Sequence, residues 1–132
     1  MTIEDAALIE AASEAREFAY AKYSGFRVGA AIVDEKDRVY TGCNVENAAY
    51  PLGTCAEAGA ISAMIDGGGK RIVAIAIVGG KDAVSACTPC GGCRQRIREF
   101  ADADTRILVI DDSDGWQTYT IVELLPASFH LP

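Results

Sequence analysis

The chain has 132 residues, half of them hydrophobic and 23% charged, with a net charge of −7. That length suits one domain, residues 1–132, with a sizeable core. The acidic balance argues against a nucleic-acid partner, because phosphate binding wants a basic face, and is compatible with a small neutral or cationic ligand.

Thr2 offers an N-cap, and Leu8, Ile9, Ala12, Ala15, Phe18 and Ala19 recur at helical spacing. Together they predict a first helix over 3–22, ended by Ser24-Gly25. Val28–Val33 reads as a short apolar strand, Glu35-Lys36-Asp37 as a turn, and Arg38–Asn44 as the returning strand of a hairpin. A second helix starts at Thr54 and stops at Gly67-Gly68-Gly69. Ile72–Val78 is a continuous apolar run, as in a strand covered on both faces. A third helix starts at Thr88 or Pro89, with Pro89 suited to the first helical position, and runs to about Phe100. Arg106–Ile110 is a fourth strand, 111–115 a turn, and Gln117–Val122 a fifth strand. Leu124–Pro132 reads as a short helical turn and a tail. Strands three and four flank a helix and should run parallel. The expected fold class is therefore α/β, with helices on the faces of a five-stranded mixed sheet.

No apolar run approaches the ~18 residues of a membrane span. Met1-Thr2-Ile3-Glu4-Asp5 carries no apolar signal core. The expectation is a cytoplasmic protein with no membrane partner. In that compartment the five cysteines read as metal ligands or catalytic groups before they read as disulfides.

Cys90 and Cys93 lie three apart in a predicted first helical turn and so share a face. The positive end of a helix favours thiolate over thiol, and Cys55 opens another helix with the same advantage. Three protein ligands with one open position mark a catalytic zinc, whereas four mark a structural one. Cys87 leaves a closed site of four cysteines open as an alternative. Its even spacing with Cys90 and Cys93 also matches part of an iron–sulfur pattern whose further Cys-Pro is missing. Glu57 has two readings. Thr54-x-x-Glu57 is a capping box. A glutamate two residues after a cysteine, with Pro-Cys-x-x-Cys downstream, is close to the signature of zinc nucleobase deaminases.

Several blocks resemble the cytidine deaminase family, in its small, all-cysteine, homotetrameric, zinc-dependent type. They are Tyr23-Ser24-x-Phe26-x-Val28-Gly29-Ala30-Ala31, Gly42-Cys43-Asn44-Val45-Glu46-Asn47-Ala48, Tyr50-Pro51-Leu52-Gly53, Cys55-Ala56-Glu57, Pro89-Cys90-Gly91-Gly92-Cys93-Arg94-Gln95 and Leu124-Leu125-Pro126-x-x-Phe129. The resemblance spans almost the whole chain. It implies a three-layer αβα sandwich and the hydrolysis of cytidine and 2′-deoxycytidine to the uridines and ammonia. It also implies one Zn²⁺ per chain on Cys55, Cys90 and Cys93, with Glu57 as the catalytic proton carrier. Asn44 and Glu46 match the family's ribose-binding pair; an amide and a carboxylate on one side of a strand end suit sugar hydroxyls. Phe26 and Phe129 match aromatic positions near the base, which the backbones of Ala56 and Cys90 border. The segment around Tyr50 and the tail at Phe129 would reach a neighbouring subunit's site, so the expected partners are a nucleoside and three further copies of the chain.

One position departs from the pattern. Most members of this type follow Cys-Ala-Glu with an arginine that donates to the zinc thiolates, and here the residue is Ala58. Three thiolates on a divalent cation leave a negative charge over, and losing a nearby cation should weaken catalysis unless something replaces it. The helix dipoles, Arg94 and Arg96 are the candidates. Two other functions stay open. One is a deaminase of another cytosine nucleoside such as blasticidin S; the other is a zinc-stabilised binding protein without turnover. His130, the only histidine, matches no ligand motif. Cys43 reads as a small buried residue.

Overall fold

In the computed structural model, residues 2–113 and 115–132 are described; Met1 and Asp114, the latter part of the expected turn, lie outside them. The elements run α1 (Ile3–Arg16), β1 (Arg27–Asp34), β2 (Val39–Cys43), a 3₁₀ turn (Tyr50–Leu52), α2 (Ala56–Asp66), β3 (Ile72–Gly80), α3 (Gly91–Phe100), β4 (Arg106–Ile110), β5 (Trp116–Tyr119) and α4 (Ile121–Leu124). The strands form one five-stranded mixed sheet in the order β2-β1-β3-β4-β5. β1 is antiparallel to β2 and β3, β3 is parallel to β4, and β4 is antiparallel to β5.

The period-2 geometry of β3 explains its unbroken apolar sequence. Ala74, Ala76 and Val78 face one layer with Leu8 and Ala12 of α1. Ile75 and Ile77 face the other, with Ala60 and Met64 of α2, Ile97 of α3 and Leu124 of α4. This is the αβα sandwich expected from the resemblance. One close contact sets where α2 lies. A side chain at Gly42 would put its Cβ 2.4 Å from Ala60 N and 2.5 Å from Ala56 O. The helix backbone therefore rests directly on β2, and its N-terminus is held at that strand's end.

Several boundaries differ from expectation: β3 runs on to Gly80, the last helical turn ends at Leu124 instead of starting there, and four further differences have identifiable causes. The first helix stops at Arg16, with Glu17 as its C-cap, although the apolar spacing continues to residue 19. Arg16 is buried and donates to the carbonyls of Gly80 (2.9 Å) and Lys81 (3.0 Å), closing the end of β3. Beyond it the chain leaves the helix; Phe18 is exposed and Tyr20 N–H donates to Asn44 O. The second helix starts at Ala56, with Cys55 and not Thr54 as its N-cap. The third starts at Gly91, with Cys90 as its N-cap, so Pro89 precedes the helix instead of opening it. The last strand ends at Tyr119, because Thr120 and Glu123 form a reciprocal capping box that starts α4.

Candidate active site

The N-termini of α2 and α3 meet at the sulfurs of Cys55, Cys90 and Cys93, which all lie within 4.8 Å of one another. Two of the three cysteines are helix N-caps and the third sits in the first turn of α3. The positive ends of both helices therefore point at the cluster, where negative charge is favoured. Cys90 Sγ accepts a hydrogen bond from Cys93 N (3.4 Å). That bond does most to pull the Cys90 thiol below its ordinary pKa. Burial pushes Cys55 and Cys93 the other way. Two of the three sulfurs are thus unfavourable to ionise alone. A soft divalent cation shared by all three removes that penalty, and the thiolate set suits zinc.

Cys87 stands apart from this group, so the closed four-cysteine alternative finds no support in the geometry. Its N–H donates to Ile110 O at 2.8 Å, and it packs on the core that holds α2 and α3. Burial pushes its thiol up to about 11. Cys43 ends β2, as expected of a residue in or after a strand, but is half-buried instead of buried.

Glu57 lies in the first turn of α2 and is 4% exposed. The capping-box alternative fails, because Thr54 N–H donates instead to Val45 O at 2.9 Å. The carboxyl of Glu57 is therefore free of the backbone at Thr54. Burial raises its pKa; its own N–H, Cys93 and the charge of Arg96 oppose that rise without cancelling it.

A cleft of about 340 Å³ opens over the sulfurs, within the range of small-molecule sites. Phe26, Asn44, Glu46, Tyr50, Ala56 and Glu57 line it together with Cys55 and Cys90. Asn44 ties the cleft wall to β1: its Oδ1 accepts from Val28 N (2.8 Å) and its Nδ2 donates to Phe26 O (2.9 Å). Glu46 Oε1 accepts from Tyr23 N (2.9 Å) and Ser24 N (3.1 Å), and Oε2 from the Ser24 hydroxyl. These bonds, led by Ser24, hold Glu46 below the usual carboxylate range.

Phe129 is not part of this cleft. Its side chain is 69% exposed, and its carbonyl accepts from Gln95 Nε2 at 3.0 Å, which fastens the tail to α3. His130 is exposed in the same tail, away from the sulfurs. Sequence reasoning gave Tyr23 no role and Ser24 only that of a helix stop, although both hold Glu46. Their place in a block shared with the family was the available signal.

Comparison with known proteins agrees with this geometry. The family model described as the cytidine and deoxycytidylate deaminase zinc-binding region matches residues 2–109. A cytidine deaminase of Halalkalibacterium halodurans is 42% identical over 122 residues, covering 92% of this chain and 91% of that one. One from Mycobacterium tuberculosis is 41% identical over 120 residues, covering 91% and 85%. The crystal structure of a Burkholderia pseudomallei cytidine deaminase superposes with a TM-score of 0.85 at 40% identity, covering 98% of this chain and all of that one. That of the Mycobacterium tuberculosis enzyme also gives 0.85, at 37% identity and the same coverage.

Proposed function

The chain belongs to the cytidine and deoxycytidylate deaminase family, and we propose that it hydrolyses cytidine and 2′-deoxycytidine to the corresponding uridines and ammonia. The observation that carries this reading is the placement of one buried carboxyl, Glu57, beside three clustered cysteine sulfurs at the floor of a nucleoside-sized cleft.

Cys55, Cys90 and Cys93 would hold the zinc. When bound, it supplies the Lewis acidity that makes a water acidic and nucleophilic near neutral pH. The remaining work falls to the chain itself. Glu57 accepts the water's proton and passes it to N3 of the base as oxygen bonds to C4. It then takes the proton of the new C4 hydroxyl and delivers it to the amine as the bond from C4 to nitrogen breaks, leaving the C4 carbonyl and free ammonia. A carboxyl lifted by burial is nearer the operating pH, where such a carrier works best. The Ala56 and Cys90 backbones border the base, and Phe26 offers an aromatic face to it.

Asn44 and Glu46 orient the sugar. Asn44 keeps one amide hydrogen and one lone pair beyond its bonds to Phe26 and Val28, and Glu46 Oε2 keeps acceptor capacity beyond Ser24. Those spare groups suit ribose hydroxyls, and the existing bonds hold both side chains in place beforehand.

The reading takes residues 1–132 as one domain working in the cytoplasm in pyrimidine salvage, as a homotetramer with shared sites. Phe129 is 69% exposed and outside this chain's own cleft, as a residue that completes a neighbour's site would be before association; Tyr50, 77% exposed, lines the chain's own cleft and would also meet a neighbour. No helix is long and apolar enough to cross a membrane, among the described residues.

Ammonia release from cytidine, 2′-deoxycytidine and blasticidin S by the zinc-loaded protein tests the activity, with sizing chromatography for the assembly. Release from the first two is expected. Turnover of blasticidin S alone would change the substrate. No turnover with zinc bound would leave a zinc-stabilised binding protein.

A further inference from the structure

α2 and α3 leave a second cleft, which shares no lining residue with the nucleoside cleft. Ala58, Ile61, Arg96, Glu99 and Phe100 are among the residues that line it. Arg96 Nη1 donates to Cys93 Sγ at 3.4 Å. Cys93 is fully buried, so its sulfur has no solvent to stabilise negative charge. The donor and acceptor are three residues apart on one helix and therefore share a face. Gly92 leaves the approach open: a Cβ there would be 3.4 Å from Arg96 Nη1.

The other arginine in this turn is committed elsewhere. Arg94 donates from Nε to Pro89 O (2.8 Å) and from Nη1 to Leu124 O (2.9 Å). The Arg96 side chain makes no other hydrogen bond among the described residues. Three thiolates on a divalent cation leave one negative charge in excess, and Glu57 lies beside them. A guanidinium is permanently charged and offers donors in a fixed fork, so it counters that excess at any working pH. Ligand sulfurs are tuned by such donors as much as by the metal itself.

We propose that Arg96 is a positioning residue of the metal centre, orienting the Cys93 sulfur through its hydrogen bond and setting how tightly the cation is retained. Its link to activity rests on the deaminase reading, whereas its link to the metal does not.

The test uses Arg96→Ala, Arg96→Gln and Arg96→Lys, with Ala58→Arg added to Arg96→Ala because residue 58 opens on the same cleft. Zinc affinity is read by competition with a chromophoric chelator. The thiolate charge-transfer absorption of the Co²⁺-loaded protein gives a second signature. The alanine and glutamine variants should bind zinc about 10–100-fold more weakly, the usual effect of removing a partner of a metal ligand. Lysine should lose less, and the double variant should recover part of the loss. Metal-free melting temperature should stay unchanged, since Arg96 is exposed.

Unchanged zinc affinity in the alanine and glutamine variants would overturn the assignment. So would a loss that merely follows a falling metal-free melting temperature. Weakened zinc binding in a protein that deaminates neither cytidine nor 2′-deoxycytidine would support Arg96 while overturning the proposed activity. Cytidine turnover with unaltered zinc affinity would do the reverse.

Discussion

Replacing Glu57 with glutamine removes the proposed proton carrier while leaving the volume of the side chain almost unchanged. Glu57 is 4% exposed at the floor of the cleft. Burial raises its pKa, opposed by its own N–H, Cys93 and Arg96. The glutamine cannot take or return a proton, so the whole contribution of general acid–base catalysis is lost. That contribution is about 10²–10⁴ in rate, or about 2.7–5.4 kcal/mol of barrier at ~1.36 kcal/mol per tenfold. The fold should tolerate the change, because Thr54 N–H is bonded to Val45 and no helix cap depends on Glu57. Burying an amide also avoids the penalty of burying a charge, so the metal-free variant should melt no lower than the parent at neutral pH. The assay is ammonia release from cytidine, run beside zinc content and thermal unfolding. Undiminished kcat with zinc bound would refute the proton-carrier role. Loss of zinc or of the fold would make Glu57 structural.

The remaining predictions address the frame around that carboxyl. Gly42→Ala would press a Cβ into the α2 backbone at 2.4–2.5 Å. It should lower stability by about 1–3 kcal/mol and displace Cys55, so melting temperature and zinc content should fall together. Cys93→Ala should abolish zinc retention while Cys87→Ala keeps about one zinc per chain, as metal analysis would show, because only the former belongs to the sulfur cluster. Asp34 supplies a pH dependence. Burial alone would raise its pKa, but the N–H groups of Arg38 and Lys36, the Tyr40 hydroxyl and the Arg38 guanidinium together hold it at about 2, below the ordinary 3.8. A depressed carboxylate adds stability above its ordinary value and loses it as pH falls through the folded one. Stability should therefore fall between about pH 4 and pH 2; Asp34→Asn should be less stable at neutral pH and show a flatter acid limb in denaturant titrations.

Much of the fold was legible locally. The apolar run at β3, the glycines after α2 and the cap at Thr2 each mark an element through a short-range preference, and Asp5 N does donate to Thr2 Oγ at 3.0 Å. The misplaced boundaries have long-range or competing causes. The end of α1 depends on where the carbonyls of β3 sit, since Arg16 reaches them across 64 and 65 residues of sequence. At β5 the β-branched and aromatic residues from Thr118 to Val122 favoured a strand and hid the pattern Thr120-x-x-Glu123, which wins as a capping box. The starts of α2 and α3 shifted because cysteines occupy N-cap positions usually filled by oxygen-bearing side chains.

Within the site, residue type and spacing singled out Cys55, Cys90, Cys93 and Glu57, because metal and proton chemistry demand particular atoms. Spacing could not choose between Glu57 as a cap and Glu57 as a free buried carboxyl. That choice followed from the pairing of Thr54 with Val45, made across nine residues by the path of the chain. Nor could it say which arginine faces the sulfurs, since Arg94 and Arg96 are both near Cys93 in sequence. The α4 carbonyl at Leu124 engages Arg94, and the cleft beside α2 leaves Arg96 to reach Cys93. A short-range pattern records which groups are available. Their hydrogen-bond partners depend on backbone that arrives from elsewhere in the chain, and only the packed sheet and helices bring it there.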